Sequence, residues 1–227
     1  MTKRVMLSWS SGKDSAWALH LLRSDPDLEC VGLFTTVNRE FDRVAMHAVR
    51  RTLLDAQAAS IGLPLDAILI PYPCPNEAYE GAIAAFVENA KRRGVTHFAF
   101  GDLFLEDIRR YREEKLVGTG IVPLFPLWGL PTRALAQQMV AGGLRAYITC
   151  VDPKQAPRDW AGRLFDAAFV DAVPEGIDPC GERGEFHTFV CDGPMFQHPV
   201  ETVIGEIVER DGFVFADLLP RFPEIAP

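Results

Sequence analysis

The segment Ser10-Ser11-Gly12-Lys13-Asp14-Ser15 lies between a short apolar run, Val5-Met6-Leu7, and an amphipathic stretch from Ala16 to Leu22. That order predicts strand, tight loop, helix, so the chain begins as an α/β unit. Small residues in the loop let a ligand approach the backbone. The helix behind it directs its unpaired N–H groups and the positive end of its dipole at the same place. Lys13 adds a cation, and Ser10, Ser11 and Ser15 add hydroxyl donors. The expected result is an anion cradle. A Walker-type P-loop is excluded, because that pattern needs Ser or Thr after its Gly-Lys pair and here Asp14 follows Lys13.

The first half continues in alternation. Cys30 to Thr36 reads as a buried strand, and residues 46–61 carry apolar side chains at helical spacing until Gly62. Ala67 to Ile70 is a further apolar run. Asn76 is placed to cap a helix reaching about Arg93 before Gly94. Val95 to Phe100 is a fourth strand, followed by Gly101-Asp102. Continuous apolar strands, each followed by a helix, predict a parallel sheet with helices on both faces. Ligands of such sheets bind beyond the carboxyl ends of the strands, which would bring Gly101 and Asp102 beside the cradle.

After about residue 120 the texture changes. Pro123, Pro126 and Pro131 punctuate a connection that contains Phe125, Trp128 and Gly129, with the two aromatics read as packing at a domain junction. Thr132 to Ala141 and Asp159 to Phe169 are read as helices, and Arg145 to Val151 as a strand. Val200 to Arg210 and Phe213 to Ala216 flank Asp211-Gly212, a hairpin signal. The expected organisation is a first domain over residues 1–127 and a smaller C-terminal α+β domain over 128–227.

Bulk properties narrow the class. Lys and Arg total 23 against 31 Asp and Glu, a net charge of -8, which argues against a broad nucleic-acid surface. The cluster Arg109, Arg110, Arg112 and Lys115 is interleaved with Glu106, Glu113 and Glu114, the pattern of an ion-paired, solvated helix face. Five cysteines without a Cys-x-x-Cys pair predict reduced thiols and a cytoplasmic setting. No stretch approaches the ~20 apolar residues of a membrane span.

A second constellation is Gly181-Glu182-Arg183-Gly184-Glu185-Phe186-His187-Thr188. Glutamate or histidine there could deprotonate a nitrogen nucleophile, or a carboxylate could hold magnesium that bridges a triphosphate. The bland reading is a polar loop entering the last β region. Cys180 stands beside it with no base paired to it in sequence, so a nucleophilic thiol is the weaker reading.

The Ser10–Ser15 loop resembles the pyrophosphate loop (PP-loop), Ser-Gly-Gly-x-Asp-Ser, with Ser11 where the pattern has its first Gly. With Met46-His47, Gly101-Asp102, Pro126-Leu127-Trp128 and the run Gly176 to Phe189, nearly the whole chain resembles the diphthine–ammonia ligase family of PP-loop ATPases, an adenine nucleotide alpha-hydrolase-like group. The resemblance implies a five-stranded parallel sheet of HUP type for ATP and a C-terminal domain for substrate. It also implies adenylation of a carboxylate, with release of AMP and pyrophosphate, followed by amide formation with ammonium. In eukaryotic and archaeal members the acceptor is a modified histidine of translation elongation factor 2. Carried onto this chain, Ser10, Ser11, Gly12, Lys13, Asp14 and Ser15 hold phosphates, with Mg2+ accompanying ATP. His47, Gly101 and Asp102 border the nucleotide, and Glu182, Glu185 and His187 face the acyl group. One departure stands out: diphthamide-type members carry Tyr-Gln opposite Asp107-Ile108, which implies a divergent branch whose carboxylate acceptor is a small molecule or a protein. A tRNA-modifying PP-loop enzyme and a non-catalytic ATP sensor are the alternatives, and an assembly of identical chains is compatible with each.

Overall fold

The computed structural model describes residues 2–40, 43–44 and 49–221, so His47 and the start of the helix expected over 46–61 lie outside the described residues. The first apolar run lies within β1 (Lys3–Ser8), and α1 (Lys13–Ser24) follows it. Next come β2 (Leu28–Asn38), the two-residue β3 (Arg43–Val44), α2 (Arg51–Ile61) and β4 (Leu65–Ile70). The first half closes with α3 (Asn76–Arg92), β5 (His97–Ala99), α4 (Glu106–Leu116) and β6 (Val122–Leu124).

Five strands run parallel in the order β4-β2-β1-β5-β6, and β3 adds an antiparallel bridge at Val37 and Asn38. The expected parallel sheet is present. Alternation along each strand sorts its side chains to two faces. Val5, Leu7, Leu33 and Ala99 pack beneath α1 and α2, while Met6, Phe34 and Phe98 pack on the other face with Phe86 and Val87 of α3. The chain leaves β1 toward β2 and β4, then returns on the opposite side as β5 and β6. The switch point of the sheet therefore lies between β1 and β5, the place where such sheets bind ligands beyond the carboxyl ends of their strands.

The second half carries α5 (Thr132–Ala141), β7 (Arg145–Val151), α6 (Ala167–Ala172), β8 (Phe186–Asp192), β9 (Thr202–Arg210) and β10 (Phe213–Pro220). Its strands form a smaller antiparallel sheet in the order β8-β7-β10-β9. Asp211 (φ 54°) and Gly212 (φ 82°) make the expected tight hairpin, both in the left-handed region that such a turn requires. This sheet shares the core of α1: Phe186, Phe189 and Ile148 are continuous with Trp17 and Leu19.

Three local expectations are corrected. Asn76 is the first helical residue, and Pro75 occupies the cap position with no side-chain bond. The segment 159–169 is not one helix. A single 3-10 turn spans Arg158–Trp160, Gly162 takes φ 84°, and Phe165 N donates back to Ala146 O at 2.8 Å before Asp166 caps α6. The proline-punctuated connection contains β6, where Pro123 is tolerated because the strand is an edge and needs no second row of donors. Among the described residues, no helix is long and apolar enough to cross a membrane.

Candidate active site

The loop from Ser10 to Ser15 sits at the carboxyl end of β1 and opens α1, with Gly12 as the extended cap residue and no side-chain cap bond. Ser15 Oγ donates to Gly12 O at 3.0 Å and lies 3.1 Å from Ser10 Oγ, so the loop is closed on itself. Ser11 takes φ 69°, a left-handed conformation that costs a non-glycine residue about 1–2 kcal/mol. The family pattern has glycine at this place. Among the described residues, Ser11 Oγ and Asp14 Oδ1 are buried side-chain atoms with no hydrogen-bond partner. Buried polar groups are almost always satisfied, so two such atoms in one turn set this loop apart from an ordinary structural turn.

Ser11→Gly follows as a stability test. It relieves the left-handed strain and removes one orphan, against a glycine entropy cost of roughly 0.5–1 kcal/mol. We expect a gain of about 1 kcal/mol, read as a melting temperature ~2–4 °C higher without nucleotide. No gain would mean that the serine is not strained.

Gly101 belongs against this loop. A Cβ at that position would stand 3.0 Å from Asp14 C and Ser15 N, so a side chain there would have to push the start of α1 back by a few tenths of an ångström. Asp102 is held by Arg112 through two bonds of 2.6 and 3.0 Å, with the guanidinium 4.4 Å above the Phe100 ring. Leu103 N donates to Glu182 Oε1 at 2.8 Å, which carries the second constellation into the same crevice. The two stretches, 170 positions apart in sequence, thus meet.

Lys13 is buried. Its ammonium bonds the Asp14 carboxylate at 2.8 Å and the Cys180 carbonyl, and lies 5.6 Å from the Phe186 ring centre. Burial alone would lower its pKa, but Asp14, Cys180 and Glu182 outweigh burial and raise it, so the charge is locked in. Its backbone N donates to Thr188 Oγ1 at 3.1 Å. Lys13 therefore fastens the loop to the C-terminal sheet.

Glu182 and Glu185 differ in kind. Burial pushes the Glu182 carboxyl up to about 7; the Leu103 N–H opposes that shift, and Asp14 adds to it. Glu185 is buried with both oxygens engaged: Oε1 accepts from Asp178 N at 3.1 Å and Oε2 from Arg183 N at 2.9 Å. The Glu185 carboxylate therefore ties its own loop. His187 lies on β8, and burial, with Lys13 adding to it, depresses its imidazole to about 4, so it is neutral near pH 7. The Cys180 thiol is buried and pushed up by desolvation, which opposes a nucleophilic role. The basic cluster on α4 behaves as expected: Arg109 pairs with Glu113 at 2.8 Å, Arg110 with Glu114 at 4.0 Å, and Lys115 with Glu80.

The raised Glu182 value has a signed consequence. Between pH 4.5 and about 7 the folded protein binds a proton there that the unfolded chain has released, so this group's contribution to stability falls as pH rises through that window. Glu182→Gln removes that loss. Relative to the wild type, the variant should gain several degrees of melting temperature between pH 5 and pH 8; the His187 contribution is common to both proteins. A constant difference across that range would refute the raised carboxyl.

Gln57 and Asp178 escaped the sequence reading. Gln57 Nε2 donates to Ser11 O at 3.1 Å and Val190 O at 2.6 Å, while its Oε1 accepts from Trp9 Nε1 at 2.9 Å. Its signal was available: an amide among Leu53, Leu54 and Ile61 on the apolar stripe of a helix needs partners. Asp178 accepts from Cys180 N at 3.2 Å and Glu182 N at 2.9 Å and so shapes the loop that presents Glu182.

Comparison with known proteins places relatives beside this geometry. The model of the diphthamide synthase N-terminal domain matches residues 3–117, and that of the diphthamide synthase C-terminal domain matches 131–215. The chain is 23% identical over 193 residues to a diphthine–ammonia ligase of Bos taurus, covering 78% of this chain and 72% of that protein. The same identity and coverage hold for the Homo sapiens protein of that name. A Rattus norvegicus relative is 28% identical over 118 residues, 49% of this chain and 44% of that protein.

Proposed function

The chain belongs to the diphthamide synthase family, matched by both of its domain models, and on that premise we propose that it is an ATP-dependent, AMP- and pyrophosphate-forming amide ligase. The carrying observation is the pair of buried orphans, Ser11 Oγ and Asp14 Oδ1, in a helix-opening loop packed against Gly101, two residues before the Leu103 N–H that Glu182 accepts. The relatives' shared name, diphthine–ammonia ligase, supports the reaction class.

In this reading the β and γ phosphates rest on Ser10 and the loop up to Ser15, facing the helix dipole, with the Lys13 N–H left to Thr188. Magnesium, which favours one or two carboxylates plus substrate phosphates, fits Asp14 Oδ1, and it would neutralise charge on the departing pyrophosphate. A carboxylate oxygen of the acceptor attacks the α-phosphorus, the bond to the bridging oxygen breaks, and pyrophosphate leaves. Lys13 stabilises that charge through the field of its buried ammonium. Ammonia then attacks the acyl carbon, AMP leaves, and the ammonium proton passes to Glu182, whose raised pKa suits a base working near neutrality. Glu185 and Asp178 are positioning residues for Glu182. His187, neutral, is an acceptor lining the acyl side.

The test is incubation with magnesium and α-labelled ATP, with and without ammonium and cell extract, followed by separation of AMP from ADP. AMP stimulated by extract supports the ligase. ADP alone would mean that a different bond is cut, and tight ATP binding with neither product would favour a sensor.

A further inference from the structure

The two edges of the C-terminal sheet are treated differently. At β8, Val190 N donates to Ser11 O at 2.9 Å and Val190 O accepts from Gln57 Nε2 at 2.6 Å, so that edge is covered. β9 is the other edge, and among the described residues β10 is its one partner strand. It therefore presents a row of outward N–H and C=O groups, which proteins usually blunt with proline, lysine or a very short strand. β6 is blunted in that way, with three residues and Pro123. β9 runs from Thr202 to Arg210 without proline or lysine, and it exposes Val203, Ile204, Ile207 and Val208.

A bulge divides the strand. Ile204 pairs with Leu218 and Ile207 with Ala216, so Gly205 and Glu206 together oppose Asp217. Such a bulge bends the edge, and the regular stretch left for pairing runs from Glu206 to Arg210. All of that stretch is exposed. Glu206, Val208 and Arg210 share one face, where they line a small cavity with Phe215, the partner of Val208 on β10. The Arg210 guanidinium lies 5.4 Å from the Phe215 ring centre. Among the described residues neither Glu206 nor Arg210 is held in an ion pair, whereas Glu209 is paired with Arg158.

These charges select an occupant. A second copy that adds its own β9 antiparallel, about a two-fold axis normal to the sheet, must set one residue opposite itself. Directly opposed residues share a face, and such an axis keeps the faces. Setting Glu206, Glu209 or Arg210 on the axis opposes like charges, which destabilises the pairing. Ile207 there carries the pairing across the bulge. Val208 avoids both faults. It faces its own copy, Glu206 of each chain faces Arg210 of the other, and the Asp211-Gly212 turn meets Gly205, which has no side chain to obstruct it.

We propose that β9 is the contact surface for a second copy of this chain, paired antiparallel about a two-fold axis at Val208, so that two four-stranded sheets become one continuous sheet. The proposal is independent of the ligase reading. The phosphate loop meets this sheet at β8, the opposite edge, so each copy keeps its own site.

The experiment combines sedimentation equilibrium of the full chain over a concentration series with mild oxidation of cysteine variants, read on a non-reducing gel. The wild type should sediment as a dimer that dissociates on dilution. Glu206→Arg and Arg210→Glu should each weaken association by about tenfold or more, because each acts twice across the axis. Mixed in equal amounts, the two variants should associate with each other as the wild type does with itself, since opposite charges again face one another. A misfolded variant would not be rescued in that way. Val208→Cys should crosslink to its copy above the wild-type background, because opposed residues stand about 4.5–5.5 Å apart at Cα, a separation that a disulfide spans. Glu206→Cys and Ile207→Cys should not. A monomer at every concentration would overturn the proposal and leave the edge to a different protein. A dimer indifferent to both charge reversals would overturn it as well, as would crosslinking at 206 or 207 in place of 208. If both charge variants fail to fold, the Val208→Cys crosslink decides alone.

Discussion

Exchanging Gln57 for methionine, which keeps the volume and removes the amide, is expected to destabilise the protein by roughly 2–5 kcal/mol, because it strands two buried groups at about 1–3 kcal/mol each. Trp9 Nε1 loses its acceptor and Val190 O loses its side-chain donor, while Ser11 O keeps only the bond from Val190 N at 2.9 Å. In a chain of this size the melting temperature should fall by ~5–15 °C. The second readout is specific to the site. Ser11 already sits in a strained left-handed conformation, and Gln57 is one of two donors that pin its carbonyl there. With that pin removed the loop relaxes, and ATP affinity should weaken at least tenfold even at a temperature where the variant is fully folded. A Gln57→Met protein that is destabilised yet binds ATP as before would make Gln57 a packing residue only.

The contrast between Gln57 and the loop it holds shows what a sequence makes legible. Ser10 to Ser15 could be read because strand, small residues and helix follow one another locally, and Gly101 could be placed because apolar runs alternating with helices dictate a parallel sheet with its ligands at one rim. The Asp211-Gly212 hairpin was equally local. Gln57 acts across three elements, and no spacing along the chain records that its amide meets Trp9, Ser11 and Val190. The same holds for Glu182 and Glu185. Three positions apart and chemically alike, they part only because one accepts from Leu103 N in the crevice while the other accepts from Asp178 N and Arg183 N of its own loop. The break between Trp160 and α6 was missed because Gly162 interrupts a segment whose apolar spacing is otherwise helical. β6 was missed because Pro123 argues against a strand unless the strand is known to be an edge.

The largest effect on turnover is expected at Asp14. Asp14→Asn keeps the side chain's shape and an oxygen for the Lys13 ammonium, but it removes the charge beside Oδ1, the one buried carboxylate oxygen without a partner among the described residues. AMP formation should drop by at least ~100-fold, the scale on which a single group stabilising transition-state charge acts. Stability enters as a confounder, because Lys13 is almost wholly buried and an unpaired buried charge costs about 3–5 kcal/mol. A double-mutant cycle separates the two effects. Asp14→Leu alone should be strongly destabilised, whereas Lys13→Met with Asp14→Leu replaces the ion pair by apolar side chains of similar volume and should recover most of that loss in chemical denaturation. Recovered stability without recovered AMP formation would locate the Lys13–Asp14 pair in the chemistry and not merely in the fold, and Asp14→Asn, which keeps Lys13, then reads the share of Asp14. A double variant that cleaves ATP at the wild-type rate would remove Asp14 from the phosphate and magnesium site, and with it the central support for the ligase reading.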